Sequence, residues 1–374
     1  MADFVIAPAA LERWINDLFT AAGSSAREAA LVGDHLVQAN LTGHDSHGVG
    51  MVPKYIESWA AGALQLNQEV EIVVDNGALI TVDGRWGLGQ SVTHQAMERA
   101  IERASRHGVC VMGLRNSHHL GRVGHWAEQA MAAGFASIHF TNVASNWVVA
   151  PHLGAEARFV TNPFTVGLVR RGRPSLLLDF ATSAIAHGKA RVAYNKGVQV
   201  PPNSLIDHEG RPTSDPATLF ESPAGALLTF AGHKGYALAM VCELLGGALT
   251  GGDTCRPGLP NVPPAVWNNM LAIVFDPARI GSLDAFEKEA AAFEDWVKSA
   301  RLAPGADKIR MPGEPEAEAR VARASGITID AQTVAQCDAA AATVASRSGR
   351  EVATLSSAAE RAGASAGRSR GRSS

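Results

Sequence analysis

The residues best suited to proton transfer lie close together, between positions 116 and 125. This segment combines a hydroxyl, a guanidinium and three imidazoles, supplied by Ser117, Arg122, His118, His119 and His125. Imidazole is the side chain whose unperturbed pKa lies near physiological pH, so it can both give and take a proton. The segment therefore predicts general acid/base chemistry.

The position of this segment in the predicted secondary structure supports that interpretation. Residues 109–114 form an apolar, β-rich run, and residues 126–131 have helical character. Polar side chains at a strand-to-helix turn point out of the end of a sheet, where α/β proteins usually bind ligands.

Four further segments combine polar side chains with glycine, which lets a ligand approach the backbone closely. They are residues 43–48, 161–163, 179–189 and 232–236. Each alone is also typical of an ordinary turn. Together with residues 116–125, they favour one shared cleft.

A metal site is one alternative reading of the histidines. His44 and His47 lie three residues apart, and His118, His119 and His125 with Asp45 would complete a nitrogen-rich ligand set. This reading predicts a metal-dependent hydrolase. The chain has no HExxH motif and no paired Cys and His ligands, so the spacing itself does not favour it.

Spacing does not identify a nucleotide cofactor either. The GxGxxG fingerprint of a dinucleotide-binding Rossmann fold is absent. Residues 84–89 follow a predicted strand with the wrong glycine spacing, and residues 121–124 are too short a match.

Composition narrows the class of protein. The 374 residues carry 33 Lys and Arg against 36 Asp and Glu, so nothing indicates general attraction to nucleic acid or to a membrane. We find no signal peptide and no apolar run of membrane-spanning length. Four widely spaced cysteines fit a reducing compartment, so we expect a cytoplasmic protein.

The pattern along the chain predicts an α/β fold with α+β character. Helical periodicity dominates both ends, whereas strand-like runs dominate the middle and predict a mixed or largely antiparallel sheet. We predict a helical domain built from residues 1–75 and 285–355 and an inserted sheet domain at residues 76–284. Residues 356–374 are mostly Ala, Gly, Ser and Arg and are predicted to be a disordered tail.

The five polar segments, in this order, resemble the motif set of the malate/L-lactate dehydrogenase family. That family includes sulfolactate and ureidoglycolate dehydrogenases and Δ1-piperideine-2-carboxylate reductases. The resemblance runs from the first helix to about residue 350, and residues 46–53 and 116–122 look most similar to the bacterial hydroxycarboxylate dehydrogenase B branch. It implies a non-Rossmann sheet domain that binds NAD or NADP, a helical domain that contributes to dimerisation and to the active site, and a homodimer.

The resemblance also implies roles for individual residues. His119, Ser46 and His47 would be catalytic, with His119 as the general acid/base, and Ser117 and His44 would lie near the substrate. Cofactor-binding residues would be Thr161, Asn162, Pro163, Asp179, Phe180, Ala181, Lys189, His233, Lys234 and Gly235. No metal is implied. The expected reaction is reversible hydride transfer at C2 of a small 2-oxo or 2-hydroxy acid of the malate, lactate or aryl-lactate type; reduction of a cyclic imino acid is the alternative.

The chain departs from the family pattern at one position. Many members carry Arg three residues after the Ser-His-Gly motif, where this chain has Met51. A substrate carboxylate still needs a cation, for which guanidinium is best suited. Arg122 is our candidate, and a solvent-exposed arginine at a helix start is the alternative.

Overall fold

The computed structural model describes residues 3–258 and 265–359. The longer helices are α1 (Pro8–Ala22), α2 (Ala26–Leu41), α3 (Val52–Ala60), α4 (Gly89–His107), α5 (Gly124–Ala132), α6 (His187–Lys196), α7 (His233–Val241), α8 (Leu283–Lys298), α9 (Glu314–Arg323) and α10 (Ala331–Ser348). The strands are β1 (Phe4–Ile6), β2 (Glu71–Asn76), β3 (Leu79–Asp83), β4 (Val109–His118), β5 (Ala136–Ala144), β6 (Pro163–Leu168), β7 (Leu176–Ala181), β8 (Leu205–Ile206), β9 (Pro212–Thr213), β10 (Ala226–Leu227), β11 (Trp267–Phe275) and β12 (Ile327–Ile329). The predicted α/β class is confirmed.

The two ends of the chain pack together. Strand β1 pairs antiparallel with β12, and α10 packs against α1 and α3. Their apolar faces form one buried core that includes Leu11, Ile15, Val334 and Leu355. Burial of apolar side chains from both ends holds the two stretches together despite the long sequence between them.

The end of this helical unit differs from the sequence-based expectation. Residues 355–359 form a short helical turn, and the Ser356 hydroxyl donates a hydrogen bond to Asp338 at 2.7 Å. The chain therefore stays folded beyond residue 355, where we placed the start of the tail. The rest of that tail, residues 360–374, lies outside the described residues.

The middle of the chain builds a seven-stranded sheet in the order β2-β3-β4-β11-β5-β6-β7. Only the β3–β4 pair is parallel; the other neighbours are antiparallel. This agrees with the predicted mixed, largely antiparallel sheet and differs from a doubly wound Rossmann fold. The sheet begins at Glu71, inside the range assigned to the helical domain.

The predicted helix near residues 236–249 is interrupted. Helix α7 gives way to a π-helical segment, Cys242–Gly247, within which Gly246 lies directly on the Phe140 backbone and leaves no room for a Cβ atom. Within the described residues, no helix combines the length and apolar character that crossing a membrane requires.

Candidate active site

The histidine turn connects the end of β4 to the start of α5. The His118 backbone N–H donates to the Gly87 carbonyl at 3.0 Å, and Trp86 N–H donates to Asn116 at 2.7 Å. Gly89 lies against the His119 carbonyl so closely that no Cβ atom would fit there. The glycine-rich segment 84–89, which is no dinucleotide fingerprint, thus supports the backbone of the histidine turn.

One ring nitrogen of His119 is fixed by the fold. Nδ1 lies 2.7 Å from the Tyr55 hydroxyl, and Gln90 Nε2 donates to that same hydroxyl oxygen at 2.9 Å. Within residues 3–258 and 265–359, Nε2 of His119 has no hydrogen-bond partner. The ring is half-buried, and burial lowers its pKa well below the ordinary histidine value, with His47 and His118 adding to the effect. His119 therefore presents one free nitrogen of a neutral imidazole.

The neighbouring His118 has different surroundings. Its ring is fully buried, edge-on between Tyr55 and Trp267 at centroid distances of 5.4 and 5.5 Å. Neither ring nitrogen has a partner among the described residues, and burial lowers the pKa of His118 to about 3. This side chain packs as an aromatic group.

The segment 44–48 lies opposite His119. The His47 ring is stacked on His119 with centroids 5.6 Å apart, and Ser46 Oγ lies 3.0 Å from His47 Nδ1. Burial, with a smaller contribution from nearby His44, lowers the pKa of His47 to about 4. His44 itself is half-buried, with Nδ1 3.2 Å from the Thr42 carbonyl.

A buried amide holds this segment in place. Asn40 accepts from Val49 N–H and donates to Asp45, both at 2.8 Å. Gly48 packs against the Asn40 amide with no space for a side chain. Sequence reasoning missed Asn40, which lies at the end of α2 and carries no motif signal of its own.

Arg122 is buried, with 2% of its surface exposed, so the alternative of a solvent-exposed arginine is wrong. Its Nη2 donates to Glu128, whereas Nε and Nη1 have no partner in the described part of the chain. Its backbone N–H donates to His35 Nε2 at 2.9 Å. A buried guanidinium with two unpaired donors can take an anionic ligand, since leaving those donors unsatisfied is costly.

Gly121 is required by the same contact. Its φ is +72°, and the His35 ring occupies the place where a Cβ atom would be. His35 was not predicted, because a histidine on the apolar face of α2 resembles an ordinary core residue.

Asp179 connects the sheet to the start of α5. Its carboxylate accepts from Thr165 Oγ1 at 2.7 Å and from Gly124 N–H at 2.9 Å. A carboxylate at a helix N-terminus is stabilised by the helix dipole. Asp179 Oδ2 and Arg122 Nη1 both lie within 2.7 Å of the position that a Cβ atom on Gly124 would take, so the two charges border the same spot.

The predicted cofactor segments converge through backbone hydrogen bonds. Thr182 N–H donates to Thr161 at 3.0 Å, Phe230 N–H donates to Thr182 at 3.0 Å, and Ala184 N–H donates to Leu228 at 2.7 Å. These bonds bring residues 161–163, 179–189 and 233–235 together. Gly188 also packs directly on Ser46, which joins the cofactor segments to the segment that carries His47.

Two helix N-termini meet in this region. Helices α6 and α7 both begin without a side-chain cap, and the loops before them pair at Ser183 and Thr229. Lys189, His233 and Lys234 are exposed within the first turns of these helices. Uncapped helix N-termini beside cations suit a phosphate or pyrophosphate group, so these residues fit a dinucleotide cofactor.

Several predicted ligands are already engaged within the chain. Asn162 is buried, donates to Glu243 at 2.6 Å and accepts from Val143 at 3.1 Å. Ser117 is buried and donates to the His118 carbonyl at 2.8 Å. We therefore revise both from ligand contacts to residues that shape the site. The remaining predicted positions of this region lie in or beside paired strands or a helix start: Pro163, Phe180, Ala181 and Gly235.

The metal alternative lacks a ligand set in the described residues. Within residues 3–258 and 265–359, no three His, Cys, Asp or Glu side chains are arranged so that they could hold a metal ion. The rings of His118 and His119 contact different neighbours. The ring of His125 lies against that of His35, with the centroids 4.4 Å apart.

Comparison with known proteins gives a consistent picture. A family model described as malate/L-lactate dehydrogenase matches residues 6–338. Hydroxycarboxylate dehydrogenase B of Escherichia coli (strain K12) is 50% identical over 335 residues, which cover 88% of this chain and 92% of the relative. The structure of sulfolactate dehydrogenase from Methanocaldococcus jannaschii superposes with a TM-score of 0.83 at 31% identity, covering 93% of this chain and 98% of that one.

A reductase of imino acids is also similar in structure. Δ1-piperideine-2-carboxylate reductase from Pseudomonas syringae pvar. tomato superposes with a TM-score of 0.77 at 27% identity, covering 89% of this chain and 98% of that one. The family match spans most of the chain, and the resemblance of the five motifs is confirmed. The chain therefore belongs to the malate/L-lactate dehydrogenase family.

Proposed function

We propose that this protein catalyses reversible hydride transfer between NAD(P)H and C2 of a 2-oxo or 2-hydroxy acid. The observation that carries the proposal is the environment of His119. Its Nδ1 is held by Tyr55, its Nε2 has no partner among the described residues, and the His47 ring is stacked on it. The similarity to hydroxycarboxylate and sulfolactate dehydrogenases supports this substrate class.

His119 is the proposed general acid/base. When bound, the nicotinamide cofactor supplies the hydride at C2 or takes it away. In reduction, Nε2 of protonated His119 donates its proton to the carbonyl oxygen, and in oxidation Nε2 of neutral His119 accepts the hydroxyl proton. The lowered pKa of His119 means that the imidazolium gives up its proton readily.

Arg122 is the proposed carboxylate ligand in place of the arginine that Met51 replaces. A substrate carboxylate would accept from one of its Nε and Nη1 donors, which have no partners among the described residues, while Glu128 holds Nη2. Ser46 and His47 lie across from His119 and would contact the substrate oxygens. His44, behind His47, would keep that imidazole neutral.

Thr161, Lys189, His233 and Lys234 are the proposed cofactor contacts. The uncapped starts of α6 and α7 would receive the pyrophosphate. Asp179, held between Thr165 and Gly124, would orient the turn that carries Arg122. The choice between NAD and NADP stays open in this proposal.

A cyclic imino acid is the second candidate substrate. The structural similarity to Δ1-piperideine-2-carboxylate reductase supports it, although hydroxycarboxylate dehydrogenase B is more similar in sequence. An imine nitrogen is protonated before hydride attack, which the same histidine would serve.

The expected homodimer and cytoplasmic location also remain proposals. Exposed aromatic side chains on α8, Phe293 at 62% and Trp296 at 74%, fit an interface with a second copy. Light scattering of the purified protein would measure its mass directly, and a monomer would contradict the dimer.

A panel of 2-oxo acids and cyclic imines, each assayed with NADH and with NADPH, tests the reaction. We expect turnover of at least one 2-oxo acid to exceed that of every imine. Higher turnover of the imines favours the second candidate, and absence of cofactor oxidation with either class contradicts both. Full activity after treatment with a chelator is the expected control.

A further inference from the structure

Gln90 and Tyr55 form a short relay behind His119. Tyr55 is fully buried on α3, and Gln90 is 1% exposed at the start of α4. Gln90 Nε2 donates to the Tyr55 oxygen at 2.9 Å and to the His119 carbonyl at 3.4 Å. The proposed reaction requires no contact between the substrate and either of these side chains.

The direction of these hydrogen bonds fixes the proton position on His119. Gln90 donates to the Tyr55 oxygen, and among the described residues Nδ1 of His119, 2.7 Å away, is the one acceptor the Tyr55 hydroxyl contacts, so the hydroxyl hydrogen points to Nδ1. A nitrogen that accepts a hydrogen bond carries no proton. Neutral His119 therefore carries its proton on Nε2 in this resting arrangement, and Nε2 cannot accept a proton from a hydroxy acid.

The reaction needs the other arrangement. An imidazole that cycles through Nε2 must hold a proton on Nδ1 throughout, and this Nδ1–H would donate to the Tyr55 oxygen. The Tyr55 hydrogen must then find another acceptor. Gln90 Oε1 is buried and has no hydrogen-bond partner among the described residues.

We propose that the Gln90 side-chain amide rotates by half a turn between these two arrangements and so sets which nitrogen of His119 holds the proton. After rotation, Oε1 accepts from Tyr55, and Tyr55 accepts from Nδ1–H of His119. The Tyr55 hydrogen turns from Nδ1 to Oε1, and the imidazole changes tautomer through the imidazolium: one proton is taken up from solvent at Nδ1 and one is released to solvent from Nε2. The ring thus keeps a single proton, and Nε2 is left free for the substrate proton. This inference rests on the proposed role of His119.

Gln90 and Tyr55 are thus positioning residues, and their substitutions have distinct expected effects. The carboxylate in Gln90→Glu presents only acceptors, which fixes the arrangement with the proton on Nδ1 of His119. Gln90→Met removes the acceptor for the Tyr55 hydrogen, which fixes the resting arrangement with the proton on Nε2 of His119. Gln95→Met is the matched control, because Gln95 is a buried glutamine on the same helix whose amide bonds Gln68 and Val70 instead.

The electrostatic surroundings of His119 are otherwise unchanged in these variants. The titratable groups that face it are His47 from the segment 44–48, Tyr55 from α3 and the adjacent His118. All three remain in place. A carboxylate at position 90 stabilises the imidazolium through Tyr55, so the pH at which reduction loses its acid should rise by about one unit or more.

The test is nitrogen NMR of the full-length protein labelled with ¹⁵N-histidine, at a pH where His119 is neutral. The His119 signals are those missing from the His119→Gln spectrum. We expect the proton on Nε2 in the wild type and in Gln95→Met, and on Nδ1 in Gln90→Glu. The same protonated nitrogen in the wild type and Gln90→Glu would overturn the inference.

Steady-state kinetics supply an independent readout. Gln90→Met should lower kcat by about tenfold or more in both directions, while Gln95→Met changes it little. Equal kcat values for these two variants would overturn the relay. If His119→Gln retained turnover, the proposed function would fail instead, and the NMR result would still decide how the proton is placed.

Discussion

The Tyr55 hydroxyl lies 2.7 Å from Nδ1 of His119, so the fold occupies one ring nitrogen and leaves the other to the site. His118, one residue earlier, has no such partner in the described part of the chain and packs between two aromatic rings. The two adjacent histidines thus have different surroundings, because His118 is the last residue of β4 and His119 is the first residue of the turn after it.

Arg122→Met should raise KM for the 2-oxo acid by about tenfold to a hundredfold, the value of a hydrogen bond to a charged group. KM for the cofactor should stay unchanged. Arg320→Met is the control, because Arg320 also pairs with Glu128 but is partly exposed on α9. An unchanged substrate KM in Arg122→Met would remove Arg122 from the site.

Lys189→Met and Lys234→Met should each raise KM for the cofactor and leave KM for the acid unchanged. Each removes a cation beside an uncapped helix N-terminus. Lys196→Met, at the opposite end of α6, is the matched control and should change neither constant. Equal effects of Lys189→Met and Lys196→Met would argue against a phosphate site there.

The buried histidines should make stability depend on pH. Burial lowers the pKa of His118 to about 3 and that of His125 to about 3, below the unfolded value near 6.5. The unfolded chain therefore binds more protons below about pH 6.5, and stability falls as the pH is lowered through that window. His118→Phe removes one such group and should flatten the pH dependence of the unfolding temperature. If the unfolding temperature of His118→Phe depended on pH as steeply as that of the wild type, His118 would not be buried as a neutral imidazole.

Gly121→Ala should destabilise the protein more than Gly134→Ala does. Both glycines have positive φ, at +72° and +88°, so each substitution carries a backbone cost of about 1–2 kcal/mol. A methyl group at position 121 also meets the His35 ring, whereas nothing lies within 4 Å of one at position 134. Urea unfolding compares the two, and equal losses would show that the His35 contact is unimportant.

Sequence patterns predicted individual helices and strands better than the interruptions and the strand order that depend on distant contacts. The Asp75-Asn76-Gly77 hairpin and the helical ends follow from local turn chemistry and apolar periodicity, which need no knowledge of distant contacts. The π-helical segment after α7 was not predicted, and its Gly246 contacts the distant Phe140 backbone, which local patterns do not reveal. Strand order likewise depends on pairing across more than a hundred residues, such as β4 with β11.

Residues of the candidate site could be predicted where they belong to a motif of the family. They could not be predicted where their part in the site depends on contacts between buried side chains. His47 and His119 were identified by their motifs. Tyr55, Gln90 and His35 have types and spacing typical of core residues. Only the structure brings Tyr55 and Gln90 to His119, and His35 to the backbone of Arg122. Asn162 and Ser117 were in recognised motifs, yet their side chains are bonded within the chain.

The most direct test of the account is kcat for reduction of a 2-oxo acid by the wild type, His119→Gln and His118→Phe. His208→Gln, on an exposed turn, serves as the control for loss of a histidine elsewhere. A positioned acid contributes on the order of a hundredfold or more, so His119→Gln should lose at least that, and His118→Phe only a few-fold. Turnover of His119→Gln close to that of the wild type would contradict the central claim.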